Sequence, residues 1–303
     1  MTTPNTVEDI IQQYHLRKVT YDSKSVFQRY FGLYKEPISN MCFSDVYMWA
    51  ERYSYYWKEH HDSLLVYSFS GGDPSLLFPP LGESYNGAME ETASIFSDMG
   101  LKEFNIEYVT SEQIGKFSKH TYKNRSSDYI YETEKMITLE GNGLHSQRNR
   151  RNAFCKRYKW EVDAYSQKYK DQCLSLLDSI KINHNNPNKK FICEIEASRR
   201  LFDDPDKLDL KGSVLLVNDN VIGVTFGTML NGTMCNILME KTSKKCIGSA
   251  QMIFSEFCKN WKDMKWCNTG DDWGISSLVT VKESYRPVRR LPKWTVIYPT
   301  NGS

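Results

Sequence analysis

The 303-residue chain lacks several features that would assign a protein to a class at once. No apolar run approaches the roughly 18 residues needed to cross a bilayer, because even the apolar segment 214–229 is interrupted by an Asn-Asp-Asn turn. The first 14 residues are polar and acidic, unlike a secretory signal. The eight cysteines form no CxxC pair and have no histidines at zinc-ligand spacing. We therefore expect a cytoplasmic protein with reduced thiols, no metal framework and no transmembrane segment.

The charge balance excludes a protein that is polycationic over its whole surface. With 39 basic and 37 acidic residues the net charge is +2, so any affinity for nucleic acid must come from a local patch. Hydrophobic residues make up 40% of the chain and charged residues 25%, which is typical of globular proteins. The length predicts two lobes. A Gly- and Asn-containing stretch at 140–146 interrupts the periodicity, and we place the lobes at 1–140 and 141–303.

Both halves of the chain share one order of predicted elements. Each runs from helices through a hairpin and a third strand to a helix and a further strand. In the second half these are a hairpin within 214–229, a strand at 233–240, a helix at 247–261 and a strand at 265–268. We expect strand 128–131 to complete the first lobe and strand 294–298 to close the second. The pattern predicts an α+β fold in which each lobe is a mixed, mostly antiparallel sheet flanked by helices.

The segment that links strand 233–240 to the next helix is rich in small and basic residues. We call residues 241–250 (KTSKKCIGSA) the Gly248 turn; Gly248, Ser249 and Ala250 stand at the helix start, preceded by Lys244 and Lys245. A helix N-terminus has unpaired N–H groups and a positive dipole end, which favour phosphate or carboxylate. The alternative is an ordinary loop with solvated lysines.

The spacing of Lys245, Gly248 and Ala250 resembles the acyl-CoA-binding turn of the GCN5-related N-acetyltransferases, with Lys where that family has Gln or Arg. The resemblance implies that the preceding strand splays from its neighbour. It also implies that Lys244, Lys245, Gly248, Ser249 and Ala250 hold the donor. At the corresponding point of the first lobe stand Pro79 and Pro80, which lack the N–H groups a donor needs, so that lobe is expected to be degenerate.

A second resemblance covers nearly the whole chain. Four stretches look like the bacterial family related to the C-terminal domain of phosphatidylglycerol lysyltransferases: 128–131 (DYIY), 148–152 (RNRRN), 268–274 (NTGDDWG) and 284–290 (SYRPVRR). That family implies tandem acetyltransferase-like lobes. Its membrane-bound relatives move an aminoacyl group from tRNA to a lipid headgroup, whereas many soluble members have no assigned reaction.

Several polar residues at the predicted carboxyl ends of the strands are candidates for catalysis. Glu240 ends the third strand and could act as general base, although capping or pairing with Lys241 is the alternative. Asp271 and Asp272, after the next strand, could hold an amino-acid ammonium group. Tyr285 could protonate a leaving group, and a half-buried aromatic is its alternative role.

A basic cluster precedes strand 160–164. Arg148, Arg150, Arg151 and Arg157 fall on one predicted helix, and arginines suit phosphate backbones through bidentate contacts. The alternative is a solvated or salt-bridging helix. The cluster favours tRNA as a partner.

Together these patterns predict an acyl- or aminoacyltransferase that acts on an amine or hydroxyl acceptor, either a small molecule or a lipid headgroup. Its donor would be aminoacyl-tRNA or acyl-CoA, with no further cofactor. Two alternatives remain open at this level: an acyl-CoA-dependent N-acyltransferase, and a non-catalytic protein that binds a ligand or RNA.

Overall fold

The computed structural model describes residues 5–70, 73–182 and 189–300. Contacts between Cα atoms divide the chain into an N-terminal unit, Met1–Ser127 with Leu291–Ser303, and a C-terminal unit, Asp128–Arg290. The divisions fall inside strands β7 (Tyr122–Glu132) and β13 (Arg289–Pro299). The lobe boundary placed after residue 140 lies within the C-terminal unit and stays a prediction.

The N-terminal unit is a mixed sheet with helices. Its strand order is β1-β2-β3-β4-β6-β13, with β5 also paired to β3, and every pair is antiparallel except β4 with β6. The elements are α1 (Val7–Gln13), β1 (Arg17–Lys18), α2 (Lys24–Phe31), α3 (Phe43–Ala50), β2 (Tyr55–His60), β3 (Ser63–Ser68), β4 (Ser75–Leu76), β5 (Leu81–Gly82), α4 (Tyr85–Asp98), β6 (Glu103–Val109) and β13, with 3-10 turns at Tyr21–Ser23 and Ile114–Phe117.

The C-terminal unit repeats this plan. Its strand order is β7-β12-β11-β10-β9-β8, and only β11 with β12 is parallel. The elements are β7, α5 (Thr133–Thr138), α6 (His145–Arg157), β8 (Trp160–Ala164), α7 (Lys170–Ile182), α8 (Lys189–Arg199), β9 (Lys211–Val217), β10 (Asn220–Asn231), β11 (Met234–Thr242), α9 (Ser249–Cys258), β12 (Trp266–Asn268) and α10 (Ser276–Glu283), with 3-10 turns at Asn142–Leu144, Gln167–Tyr169, Arg200–Phe202, Pro205–Leu208 and Lys259–Trp261.

The strand pairing within each unit confirms the predicted fold class: α+β, mixed and mostly antiparallel, with flanking helices. In the C-terminal unit, β9 carries a continuous apolar run at 214–217 because both faces of the sheet are covered. Helix α9 is apolar on most sides and buries residues such as Ile253 and Phe257, as a helix does when it lies within the core.

Two strands lie in the units opposite to those expected. The strand predicted at 128–131 belongs to β7, whose Tyr131 pairs with Cys267 of β12 in the C-terminal unit. The strand predicted at 294–298 belongs to β13, whose Val296 pairs with Ile106 of β6 in the N-terminal unit. The expectation followed chain order, but alternation of apolar residues predicts a strand without choosing its partner, and that choice depends on contacts distant in sequence.

Candidate active site

A gap opens beside β11 where the sequence placed the donor. Strand β12 pairs with β11 only from Met234 to Asn236, whereas β11 continues to Thr242. Beyond Asn236, residues 237–242 pair on the β10 side alone in the described part of the chain. The strands therefore splay, and the backbone of β11 has hydrogen-bonding capacity on the open side.

The Gly248 turn begins with the last two residues of β11 and contains a glycine that the fold requires. Gly248 has φ +92°, and a β-carbon there would lie 2.4 Å from the carbonyl oxygen of Arg150 and 2.9 Å from Cβ of Phe154 on α6. Ser249 Oγ donates to the Ser243 carbonyl at 3.3 Å, which closes the turn. Lys244 and Lys245 are exposed beside it. The turn thus packs against α6 and presents two cations beside the first turn of α9.

Glu240 lies on β11 within the splayed part. Its side chain is half-buried, and burial raises the pKa of the carboxyl from 4.5 to about 8 against the opposing effect of the Lys241 and Lys282 charges. Lys241 is ion-paired to Glu194 of α8 at 2.6 Å, and Lys282 donates to the Thr269 carbonyl at 2.6 Å. Glu240 therefore has the properties of a base that works near neutral pH.

Tyr285 follows α10 and lies within electrostatic range of Glu240. Its ring is buried and packs edge-on against Phe254 at 5.2 Å and Tyr131 at 6.3 Å. Burial and the Glu240 carboxyl raise the pKa of Tyr285 well above its ordinary range, while the Gln251 amide lowers it. The phenol consequently keeps its proton at physiological pH and can donate it.

The two aspartates after β12 have different environments. Asp272 is buried, accepts a hydrogen bond from the Tyr129 hydroxyl at 2.6 Å and accepts another from the Gly274 N–H at 2.8 Å. Asp271 is half-exposed and accepts from the Trp273 N–H at 3.1 Å. Asp272 thus holds the β12–α10 loop in shape. The ammonium-binding role assigned to both from the sequence stays a prediction.

The basic helix α6 divides into two sets of arginines. Arg151 donates to the Ile137 carbonyl at 3.1 Å and to Ser255 Oγ at 2.9 Å, and Arg148 donates to the Leu139 carbonyl at 2.8 Å. Arg150 and Arg157 are exposed instead. The first pair caps the end of α5, whereas the second pair faces solvent. Nucleic-acid contact by any of the four stays a prediction.

We expect Arg151→Ala to destabilise the protein and Arg150→Ala to leave its stability nearly unchanged. Loss of the two hydrogen bonds from the Arg151 guanidinium should lower the free energy of unfolding by about 1–2 kcal/mol. The exposed Arg150 should contribute within about 0.5 kcal/mol. Urea unfolding of the two variants side by side measures the difference, and equal midpoints would contradict the capping role.

Sequence reasoning missed other polar residues at this site. Lys282 precedes Tyr285 by three residues, and that helical spacing could have identified it as a neighbour of Tyr285 at the site. Thr225 of β10 lies directly opposite Glu240. The two register shifts between these strands cancel, so counting back from the hairpin turn would have found that pair. Gln147 and Gln251, joined at 3.1 Å between α6 and α9, carry no comparable signal.

None of the helices within residues 5–70, 73–182 and 189–300 is long and apolar enough to cross a membrane. All eight cysteines of the chain lie within these described residues and are free thiols.

Comparison with known proteins gives one curated relative. A protein of Mycoplasmoides gallisepticum, described as uncharacterized, is 27% identical over 203 residues, which cover 66% of this chain and 63% of the relative. The matched part therefore spans less than two thirds of that relative's length.

Solved structures share the fold over most of the chain. A conserved Bacteroides thetaiotaomicron protein of unknown function superposes with a TM-score of 0.85 at 22% identity, covering 93% of this chain and 99% of the other. L-PGS from Bacillus licheniformis gives 0.69 at 12% identity, covering 95% and 94%. A tandem GNAT (GCN5-related N-acetyltransferase) protein from the clavulanic acid biosynthesis pathway gives 0.51 at 8%, covering 95% and 99%. The tandem acetyltransferase-like fold is thereby confirmed.

A family model described as phosphatidylglycerol lysyltransferase, C-terminal, matches residues 31–297.

Proposed function

Since the chain belongs to the family of phosphatidylglycerol lysyltransferase C-terminal domains, we propose that it is an aminoacyltransferase that uses aminoacyl-tRNA as donor and an amine or hydroxyl as acceptor. The observation that carries the proposal is the half-buried Glu240, with a pKa near 8, on the splayed part of β11 next to exposed cations. This combination provides a base and a binding surface for a polyanion at one place.

In the proposed reaction the acceptor nitrogen or oxygen attacks the carbonyl carbon of the aminoacyl ester. Glu240 accepts the proton that the attacking atom loses. The bond from the carbonyl carbon to the ribose oxygen breaks, and Tyr285 donates its proton to that oxygen. Glu240 then returns a proton to the Tyr285 oxygen through solvent. Atoms and charges balance without a covalent enzyme intermediate.

The extent of the cationic surface supports tRNA over acyl-CoA. Arg150 contacts the Gly248 turn through its backbone, and Lys156 and Arg157 are exposed at the far end of α6. Arg150 and Arg157 are seven residues apart on α6, so these cations are spread over about 10 Å of the helix. Together with the exposed Lys244 and Lys245 of the Gly248 turn, they suit a chain of several phosphates. Acyl-CoA remains the second candidate because Lys245, Gly248 and Ala250 keep the spacing of a CoA-binding turn.

Binding of radiolabelled aminoacyl-tRNA tests the donor. We expect Arg150→Ala with Arg157→Ala to weaken binding and to reduce the slope of log K against log salt by about 1–2, since each lost phosphate contact removes about 0.7–0.9. The exposed Lys262→Ala is the control and should behave as wild type.

Transfer is then measured with mixed labelled aminoacyl-tRNAs, offered to vesicles containing phosphatidylglycerol or to small amines, and in parallel with labelled acetyl-CoA. Label moved from tRNA by wild type and not by Glu240→Gln supports the proposal. Transfer from acetyl-CoA alone would replace it with the acyl-CoA alternative. No transfer from any donor would favour a non-catalytic binding protein.

A further inference from the structure

A row of three polar side chains crosses the C-terminal sheet under α9. Thr225 of β10 is paired in register with Ser213 of β9 on one side and with Glu240 of β11 on the other. Directly opposite residues project from the same face of a sheet. That face is the one α9 covers, because a β-carbon added at Gly223, two residues before Thr225 on β10, would lie 3.2 Å from Cδ1 of Ile253 on α9. All three side chains therefore point into the layer between the sheet and α9.

One hydroxyl in this row forms no hydrogen bond with the described residues. Ser213 Oγ accepts a hydrogen bond from the Asn260 amide at 3.3 Å. Thr225 is fully buried, and its Oγ1 has no hydrogen-bond partner among the described residues. A buried hydroxyl without a partner costs about 1–3 kcal/mol. Valine has nearly the same shape and would avoid that cost. The presence of threonine therefore indicates that the hydroxyl forms a hydrogen bond in another state of the protein.

The neighbouring Glu240 would need a hydrogen-bond donor once it loses its proton. The groups that act on it electrostatically are Lys241 on its own strand, Lys282 of α10, Tyr285 after α10 and Cys258 of α9. Both lysines already bind other acceptors, Glu194 and the Thr269 carbonyl. The β-carbons of directly opposite residues are about 4.5–5.5 Å apart. Rotation of the Glu240 side chain can bring a carboxylate oxygen within reach of Thr225.

We infer that Thr225 Oγ1 donates a hydrogen bond to the ionised carboxylate of Glu240, and that Thr225 is a positioning residue for the base. The inference deepens the proposed function and rests on it for the role of Glu240. Thr225 is unpaired while Glu240 holds its proton and becomes paired when Glu240 is ready to accept one from the acceptor. Its hydroxyl thus favours the reactive form of the base at the pH where the enzyme works.

The test compares Thr225→Val, which removes the hydroxyl and keeps the branched shape, with Thr225→Ser, which keeps the hydroxyl. The Glu240 pKa is read directly by NMR from ¹³C-labelled glutamate side chains, and its signal is assigned by its absence in Glu240→Gln. We expect Thr225→Val to raise the Glu240 pKa by about 1–2 units, which corresponds to the free energy of one hydrogen bond to a charged group. Thr225→Ser should stay near the wild-type value.

At pH 6, where Glu240 with its pKa of about 8 is mostly protonated, the melting temperature of Thr225→Val should equal or exceed that of wild type, because removal of an unpaired buried hydroxyl leaves no partner unsatisfied. This confirms that the variant is folded. The pH dependence of kcat/KM should move to higher pH by the same shift as the NMR pKa, with KM for the donor unchanged.

Different results would contradict the proposed function and the positioning role of Thr225. If wild type transfers no label, the proposed function fails while the NMR titration still decides whether Thr225 serves Glu240. Equal Glu240 pKa values in wild type and in folded Thr225→Val would overturn the inference even in an active enzyme.

Discussion

Glu240→Gln is expected to lower kcat for aminoacyl transfer by about 10²–10⁴-fold, the usual contribution of a positioned general base. Glutamine keeps the size and polarity of the side chain and removes its ability to accept a proton. In wild type, burial raises the Glu240 pKa to about 8, so kcat/KM should rise about tenfold per pH unit below pH 8 and level off above it. Steady-state rates from pH 6 to 9.5 measure both effects.

The same substitution should stabilise the protein at alkaline pH. The folded-state pKa of Glu240 lies above its unfolded value, so its protonated form stabilises the fold below about pH 4.5, and this stabilisation is lost as the pH rises through about 8. Relative to Glu240→Gln, wild type should therefore lose about 1–3 kcal/mol of unfolding free energy between pH 5 and 8.5, a figure reduced because the side chain is partly exposed. Chemical unfolding at both pH values measures it.

Glu140→Gln is the matched control, because Glu140 is exposed before α6 and its replacement should change neither the rate nor the pH dependence of stability. A Glu240→Gln enzyme with activity within threefold of wild type would remove Glu240 from the mechanism.

Gly248→Ala is expected to lower the free energy of unfolding by about 2–4 kcal/mol. Two causes act together. Alanine resists φ +92°, and its β-carbon would meet the Arg150 carbonyl oxygen at 2.4 Å, where backbone must move. Because that backbone belongs to α6, the displacement should also weaken binding of aminoacyl-tRNA. Urea denaturation and the salt-dependent binding assay record the two consequences.

Gly232→Ala provides the comparison. Gly232 lies in the β10–β11 hairpin of the same unit, is exposed, and has no atom within 4 Å of an added β-carbon. Its replacement should change the unfolding free energy by less than about 1 kcal/mol. If Gly248→Ala unfolded at the same urea concentration as Gly232→Ala, the close packing of the turn against α6 would be wrong.

Local patterns in the sequence were sufficient for much of this molecule. The hairpin of β9 and β10, the third strand that ends near Glu240 and the helix after Gly248 follow from alternation, helical periodicity and turn residues, all of which act over a few neighbouring positions. The four quoted stretches were also sufficient to identify the family, and the match of the family model to residues 31–297 confirms that identification. These features are encoded locally, so the sequence alone determined them.

Tertiary structure decided which segments meet. Strands β7 and β13 have ordinary strand sequences, yet each pairs within the unit that chain order did not suggest, because a partner strand is chosen by packing against distant residues. Arg148 and Arg150 stand two residues apart on α6, but one caps α5 and the other faces solvent. The raised pKa of Glu240 and the unused hydroxyl of Thr225 likewise depend on the helix that covers them. Burial and hydrogen bonding are properties of the surroundings, and only the folded chain brings those surroundings together.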